Sequence, residues 1–143
     1  MKKYYNIARN ILYPICRSLT GNGVVETLKI IQNEFPSLKI KKIKSGTKAF
    51  DWLIPPEWNI IDAYVLDKNG LKIIDFKKHN LHLVGYSIPL NTTLTKKKFF
   101  KNLFFLKNQP TAIPYITSYY KKGWGFCVSY NQFKKFNKKY SSK

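Results

Sequence analysis

Apolar residues recur at helical spacing along the first third of the chain. Tyr4, Ala8, Ile11 and Ile15 share one face and predict a first helix, which Pro14 ends because its ring cannot continue the backbone ladder. Val24, Leu28, Ile31 and Phe35 form a second stripe, stopped by Pro36. Between them, Arg17 to Gly23 carries helix-starting chemistry: Thr20 or Asn22 is expected as N-cap, with Glu26 near the positive end of the dipole. Gly21, Asn22 and Gly23 also suit an anion-holding loop, but their spacing matches neither a dinucleotide fingerprint nor a P-loop, so capping is the reading adopted.

After Pro36 the period shortens. Leu38 to Ile43 alternates like a short strand, with Lys39 and Lys41 outward. Ser45 to Glu57 reads as a loop closed by Pro55-Pro56, with Phe50 and Trp52 anchoring it to a core. Asn59–Leu66 and Leu71–Phe76 flank Asp67-Lys68-Asn69-Gly70, and the Asn-Gly pair predicts a hairpin. Asp62 and Asp75 are placed to pair with lysines across its strands.

His82–Ile88 predicts a third strand. Lys96–Leu106 predicts a helix capped from Thr92, Thr93 or Thr95, with Phe99, Leu103 and Leu106 inward and Pro110 closing it. Ala112–Tyr119 and Trp124–Tyr130 predict two strands around Lys121-Lys122-Gly123. Ser129 and Gln132 have capping-box spacing, so a last helix begins near Tyr130. The architecture expected is α+β: two N-terminal helices and a small, mainly antiparallel β module with one or two short helices.

Composition sharpens this picture in one respect. The 143 residues carry a formal charge of +19, and 24 of the 26 basic residues are Lys. Arg provides the planar fork suited to phosphate and guanine, so a Lys-only excess points away from a dedicated nucleic-acid reader. Lys, Ile, Asn, Phe and Tyr make up half the chain, and all have A/T-rich codons, so a low-GC genome accounts for much of the charge. Its distribution is less ordinary. All seven acids lie at or before Asp75, while the 68 residues from Phe76 onward hold 14 lysines and no acid. Such a half suits an anionic partner, or belongs to a larger fold whose acids lie elsewhere. With 44% hydrophobic residues the chain can bury a core, and no apolar run approaches a membrane span. Residues 1–16 lack the unbroken apolar stretch of a signal peptide, so a cytoplasmic location is expected.

Catalytic chemistry is sparse. His79 and His82 are the two histidines, and Cys16 and Cys127 the two cysteines, too few for a Cys-based zinc site. Cys127 sits in an apolar run as a small buried hydrophobe, and no serine has a nucleophile-elbow context. The more promising surface is aromatic and basic. Tyr119, Tyr120, Lys121, Lys122 and Trp124 crowd one segment and form a candidate binding surface, since rings and lysines on strands stack bases or sugars.

Several longer motifs recur in order. They are Arg17-Ser18-Leu19-Thr20-Gly21-Asn22-Gly23-Val24, Ser45-Gly46-Thr47-Lys48-Ala49-Phe50-Asp51-Trp52 and Pro56-Glu57-Trp58-Asn59-Ile60-Ile61-Asp62-Ala63. Ile74-Asp75-Phe76, His82-Leu83-Val84-Gly85-Tyr86-Ser87, Ile113-Pro114-Tyr115-Ile116-Thr117-Ser118-Tyr119-Tyr120 and Trp124-Gly125-Phe126-Cys127 follow. The series resembles the N-terminal part of a bacterial family provisionally assigned as zinc aminopeptidases. In that family an exopeptidase-like core is interrupted early by an inserted domain of unknown function, and a winged-helix domain follows.

The resemblance implies that residues 1–44 are the opening helices and first strand of the core. It makes 45–130 the inserted β-rich module and 131–143 a shortened return helix with a Lys-rich tail. The family's metal-binding motifs match no position here. No catalytic, cofactor-binding or metal residue is therefore carried over, and zinc is expected only in full-length members. The expectation is a truncated, non-catalytic portion of an aminopeptidase-like protein, inactive alone, whose partners are the missing downstream half or further copies of itself. A small cytoplasmic module binding RNA or another polyanion without specificity is the alternative.

Overall fold

The computed structural model describes residues 2–119 and 121–139, and it is α+β. The chain divides into two compact units, Met1–Ile60 and Ile61–Lys143.

In the first unit, α1 (Lys2–Asn6) continues as a π-helical turn over Ile7–Leu12, with Tyr13 N–H donating to the Ala8 carbonyl at 2.9 Å. Pro14 ends it as expected, and Arg17 reaches back to donate to the Leu12 carbonyl at 2.6 Å. The second helix, α2, spans Asn22–Glu34. Its start differs from the expected cap. Gly21 occupies the N-cap at φ 97°, a left-handed backbone that glycine adopts without strain, and no side chain of the cap bonds the helix. Thr20 instead donates to the Pro56 carbonyl at 3.1 Å. The Asn22 N–H is satisfied from a distance in sequence, by Asn59 Oδ1 at 2.7 Å. Glu26 falls beyond the first turn, too far along to gain from the dipole.

Two further expectations in this unit are corrected. Leu38–Ile43 has no ladder: its alternation is present, but a strand needs a partner, and none pairs with it among the described residues. Ser45–Glu57 contains a two-stranded hairpin, β1 (Lys48–Ala49) with β2 (Trp52–Leu53), antiparallel with Ala49 opposite Trp52. Phe50 is at the tip, 97% exposed with φ 58°, and anchors nothing; Trp52 is half-buried. A two-residue loop turns its first side chain outward, whatever that residue's hydrophobicity.

The second unit holds the core. Ile74, Leu103 and Val128 are buried together, and Val65, Phe99, Phe100, Phe105, Phe126, Phe133 and Phe136 pack around them. The hairpin forms as expected but shorter, with β3 (Tyr64–Leu66) antiparallel to β4 (Lys72–Asp75) and a bulge between Val65 and Leu66. Asp67 Oδ1 accepts from the Asn69 and Leu71 N–H groups, and Gly70 takes φ 78°, the left-handed position such a turn requires. Lys77 pairs with Asp62 at 3.1 Å and holds its carboxyl below the usual range. Asp75 pairs within its own strand, with Lys72 at 3.7 Å, rather than across.

His82–Ile88 is not a continuous strand. A 3-10 turn covers Asn80–His82, Tyr86 takes φ 62°, and only isolated bridges join this segment to Thr117, Gly123 and Phe126. The helix expected over Lys96–Leu106 stops early: α3 is Lys96–Phe100, capped by Thr95. Leu103–Phe104 then forms β5, parallel to β6 (Phe126–Cys127). Pairing with β6 buries Leu103 more fully than another helical turn, and Leu106 is left exposed. Ala112–Tyr119 and Trp124–Tyr130 do not form a hairpin: β6 has β5 on one edge, and Leu83 is bridged to Phe126 on the other. The final helix, α4 (Tyr130–Lys139), begins at a reciprocal capping box: Ser129 N–H donates to Gln132 Oε1 at 2.8 Å, and Gln132 N–H to Ser129 Oγ at 3.2 Å.

Candidate functional site

The residues of the expected aromatic and basic surface lie on and beside three irregular segments that meet. The stretch 84–88 lies between 116–118 and 123–125: Gly85 N–H donates to the Ile116 carbonyl at 2.8 Å, and Ile88 N–H to the Gly123 carbonyl at 2.9 Å. Serines fasten the crossing. Ser87 Oγ donates to the Val84 carbonyl and accepts from Gly125 N–H, and Ser118 Oγ donates to the Gly85 and Tyr86 carbonyls. Gly85 fits because its missing Cβ would press within 3.1 Å of Thr117 Oγ1.

Tyr119 and Trp124 are half-buried here, with Lys121 and Lys122 exposed between them; Tyr120 lies outside the described residues. The structure adds Tyr86, whose ring meets Tyr119 edge to face at 5.7 Å. No periodicity marks Tyr86, because a tyrosine in left-handed backbone interrupts the very alternation that would reveal it. The assembly offers rings and ammonium groups. Both serine hydroxyls donate to backbone carbonyls.

The histidines and Cys127 are occupied elsewhere. His79 caps the 3-10 turn by accepting the Leu81 N–H at Nδ1, 3.2 Å. His82 is buried, and its Nδ1 hydrogen bonds the Cys127 carbonyl at 2.7 Å, which makes Nδ1 the protonated nitrogen of a neutral ring. Burial lowers its pKa and its interaction with neighbouring His79 lowers it further, while the Cys127 carbonyl and Asp75 oppose both. Cys127 is 0% exposed, and burial pushes its thiol from 9.0 to about 11, so it is an inert neutral hydrophobe. Among the described residues no three His, Cys, Asp or Glu side chains converge as a metal centre would need. A zinc site does not fit among the described residues: the two imidazoles, 5.9 Å apart, have no third His, Cys, Asp or Glu converging with them. No helix among the described residues is long and apolar enough to cross a membrane.

The chain belongs to the family described as a domain of unknown function, DUF2172, which matches residues 57–142, essentially the second unit with its approach. It is related to aminopeptidase-like proteins. It is 50% identical over 129 residues to a Clostridium acetobutylicum protein provisionally named a polysaccharide biosynthesis protein with an aminopeptidase-like domain. That match covers 90% of this chain and 29% of the relative. A crystal structure of a provisionally named peptidase from Clostridium acetobutylicum superposes with a TM-score of 0.87 at 48% identity, covering 93% of this chain and 31% of the other. The chain thus spans less than a third of the proteins it matches.

Proposed function

We propose that these residues are a non-catalytic N-terminal portion of an aminopeptidase-like protein acting in polysaccharide biosynthesis, with metal-binding residues supplied by other sequence. In this reading 1–44 belongs to the core, 45–130 is the inserted module and 131–143 returns toward the core. The observation that carries it is the match itself: half of the residues are identical to a relative more than three times as long.

Burial supports a docking role for the first unit. All the fully buried hydrophobic side chains of the core belong to the second unit. In the first unit the stripe of α2 is only half-covered, Phe35 is 48% exposed despite stacking on Tyr4, and Leu38–Ile43 lies extended without a ladder. An apolar helix face and an unpaired extended segment are what a module contributes to a shared core. The test is to co-express this chain with the part of the Clostridium relative that lies outside the matched 129 residues. A one-to-one complex that survives gel filtration is the expected result. Two species that never co-elute would overturn the reading.

A further inference from the structure

The second unit carries a cationic surface that the reading above does not use. Phe100 and Phe133 pack at 5.3 Å, Phe105 stacks on Phe133 at 4.0 Å, and Tyr130 meets Phe105 at 5.4 Å. These contacts hold α3 and α4 side by side and spend their rings on one another. Both helices also expose lysines. Lys97, Lys98 and Lys101 are exposed on and just after α3, and Lys134, Lys135 and Lys138 share one exposed face of α4. Among the described residues none of the six takes part in a salt bridge, because two of the unit's three acids pair with Lys72 and Lys77 and the third, Asp67, closes a turn. Lys96 and Lys134 lie over Phe100 and Tyr130 at 5.2 and 5.1 Å, bracing the two ends of the aromatic stack.

We infer that α3 and α4 together hold an acidic polysaccharide, a polymer of uronic acids, along this lysine face. The choice of polymer rests on the proposed role in polysaccharide biosynthesis and on two features of the surface. Both arginines, Arg9 and Arg17, lie in the first unit, so the face has none of the planar forks that grip phosphates and guanine edges. Its rings are half-buried against one another, which leaves less platform for unstacked bases than free-standing rings would. What it offers is a row of ammonium point charges, which suits carboxylates spaced along a sugar chain and makes the attraction salt-dependent.

The experiment is a fluorescence-anisotropy titration of a labelled oligogalacturonate with the full chain. A neutral glucan and a single-stranded RNA of equal charge serve as comparison arms. The uronate binds, the glucan does not, and the RNA is weaker at the same salt. Converting Lys97, Lys98 and Lys101 to Gln, or Lys134, Lys135 and Lys138 to Gln, weakens the uronate about tenfold or more in each case, since each set removes three ionic contacts. The same substitution of Lys39, Lys41 and Lys42, which removes equal charge elsewhere, changes it less than about twofold. An equal loss in that control set makes the effect one of net charge, and tighter RNA binding makes the face a nucleic-acid surface; either overturns the inference. Both outcomes are independent of whether the co-expressed complex forms, so failure here is distinguishable from failure of the proposed function.

Discussion

The burial of Cys127 sets an alkaline limit to stability. Cys127 is fully enclosed, and its thiol titrates at about 11 in the fold against 9.0 as the ordinary value. Between those values the unfolded chain has lost a proton that the folded chain keeps, so stability falls as pH rises. Two pKa units correspond to about 2.7 kcal/mol, nearly all of it gone by about pH 11. Cys127→Ala removes the titration and leaves a small cavity costing about 1 kcal/mol. The two stability curves must therefore cross. The variant is the weaker protein near neutral pH and the stronger one at about pH 11, where the wild type has lost about 2 kcal/mol. Urea unfolding followed by tryptophan fluorescence at a series of pH values measures both curves. Parallel curves, with the variant weaker throughout, would refute the assignment of the alkaline loss to Cys127.

Three further outcomes follow from local geometry. His82 is lowered below 6.5, so its contribution is present above that pH and lost as pH falls through it toward the folded value; His82→Leu flattens that acid limb and orphans the Cys127 carbonyl, costing about 1–3 kcal/mol near neutral pH in urea melts. Ser129→Ala breaks one half of the capping box and lowers stability by about 1 kcal/mol, read as a shifted urea midpoint with unchanged slope. Phe50→Asn relieves a left-handed aromatic that packs against nothing and raises the melting temperature of the first unit, whereas a fall would show that Phe50 anchors the loop after all.

The sequence was most informative where local chemistry decides structure. The stripe Val24–Leu28–Ile31, the Asp67–Gly70 turn and the Ser129–Gln132 box each announce themselves within a few residues. It was least informative where distant segments decide. Asn59 caps α2 from 37 residues away, and β5 pairs with β6 across more than twenty residues, which no periodicity reveals. Leu103–Leu106 reads as helix because its spacing suits one, yet Leu103–Phe104 becomes strand by pairing with β6. The aromatic surface was legible in Tyr119 and Trp124 but not in Tyr86, whose backbone breaks its own strand.

The central claim is that this chain belongs to an aminopeptidase-like protein without itself carrying the means of hydrolysis. Zinc content measured by elemental analysis on untagged chain, after equilibration with zinc and alongside an assay of amino-acid release from short peptides, tests it most directly. A metal content far below one zinc per chain and no turnover is the expected result, because a catalytic zinc needs about three protein ligands and the described residues bring no three His, Cys, Asp or Glu side chains together. One zinc per chain, with peptide turnover abolished by a chelator, would contradict it.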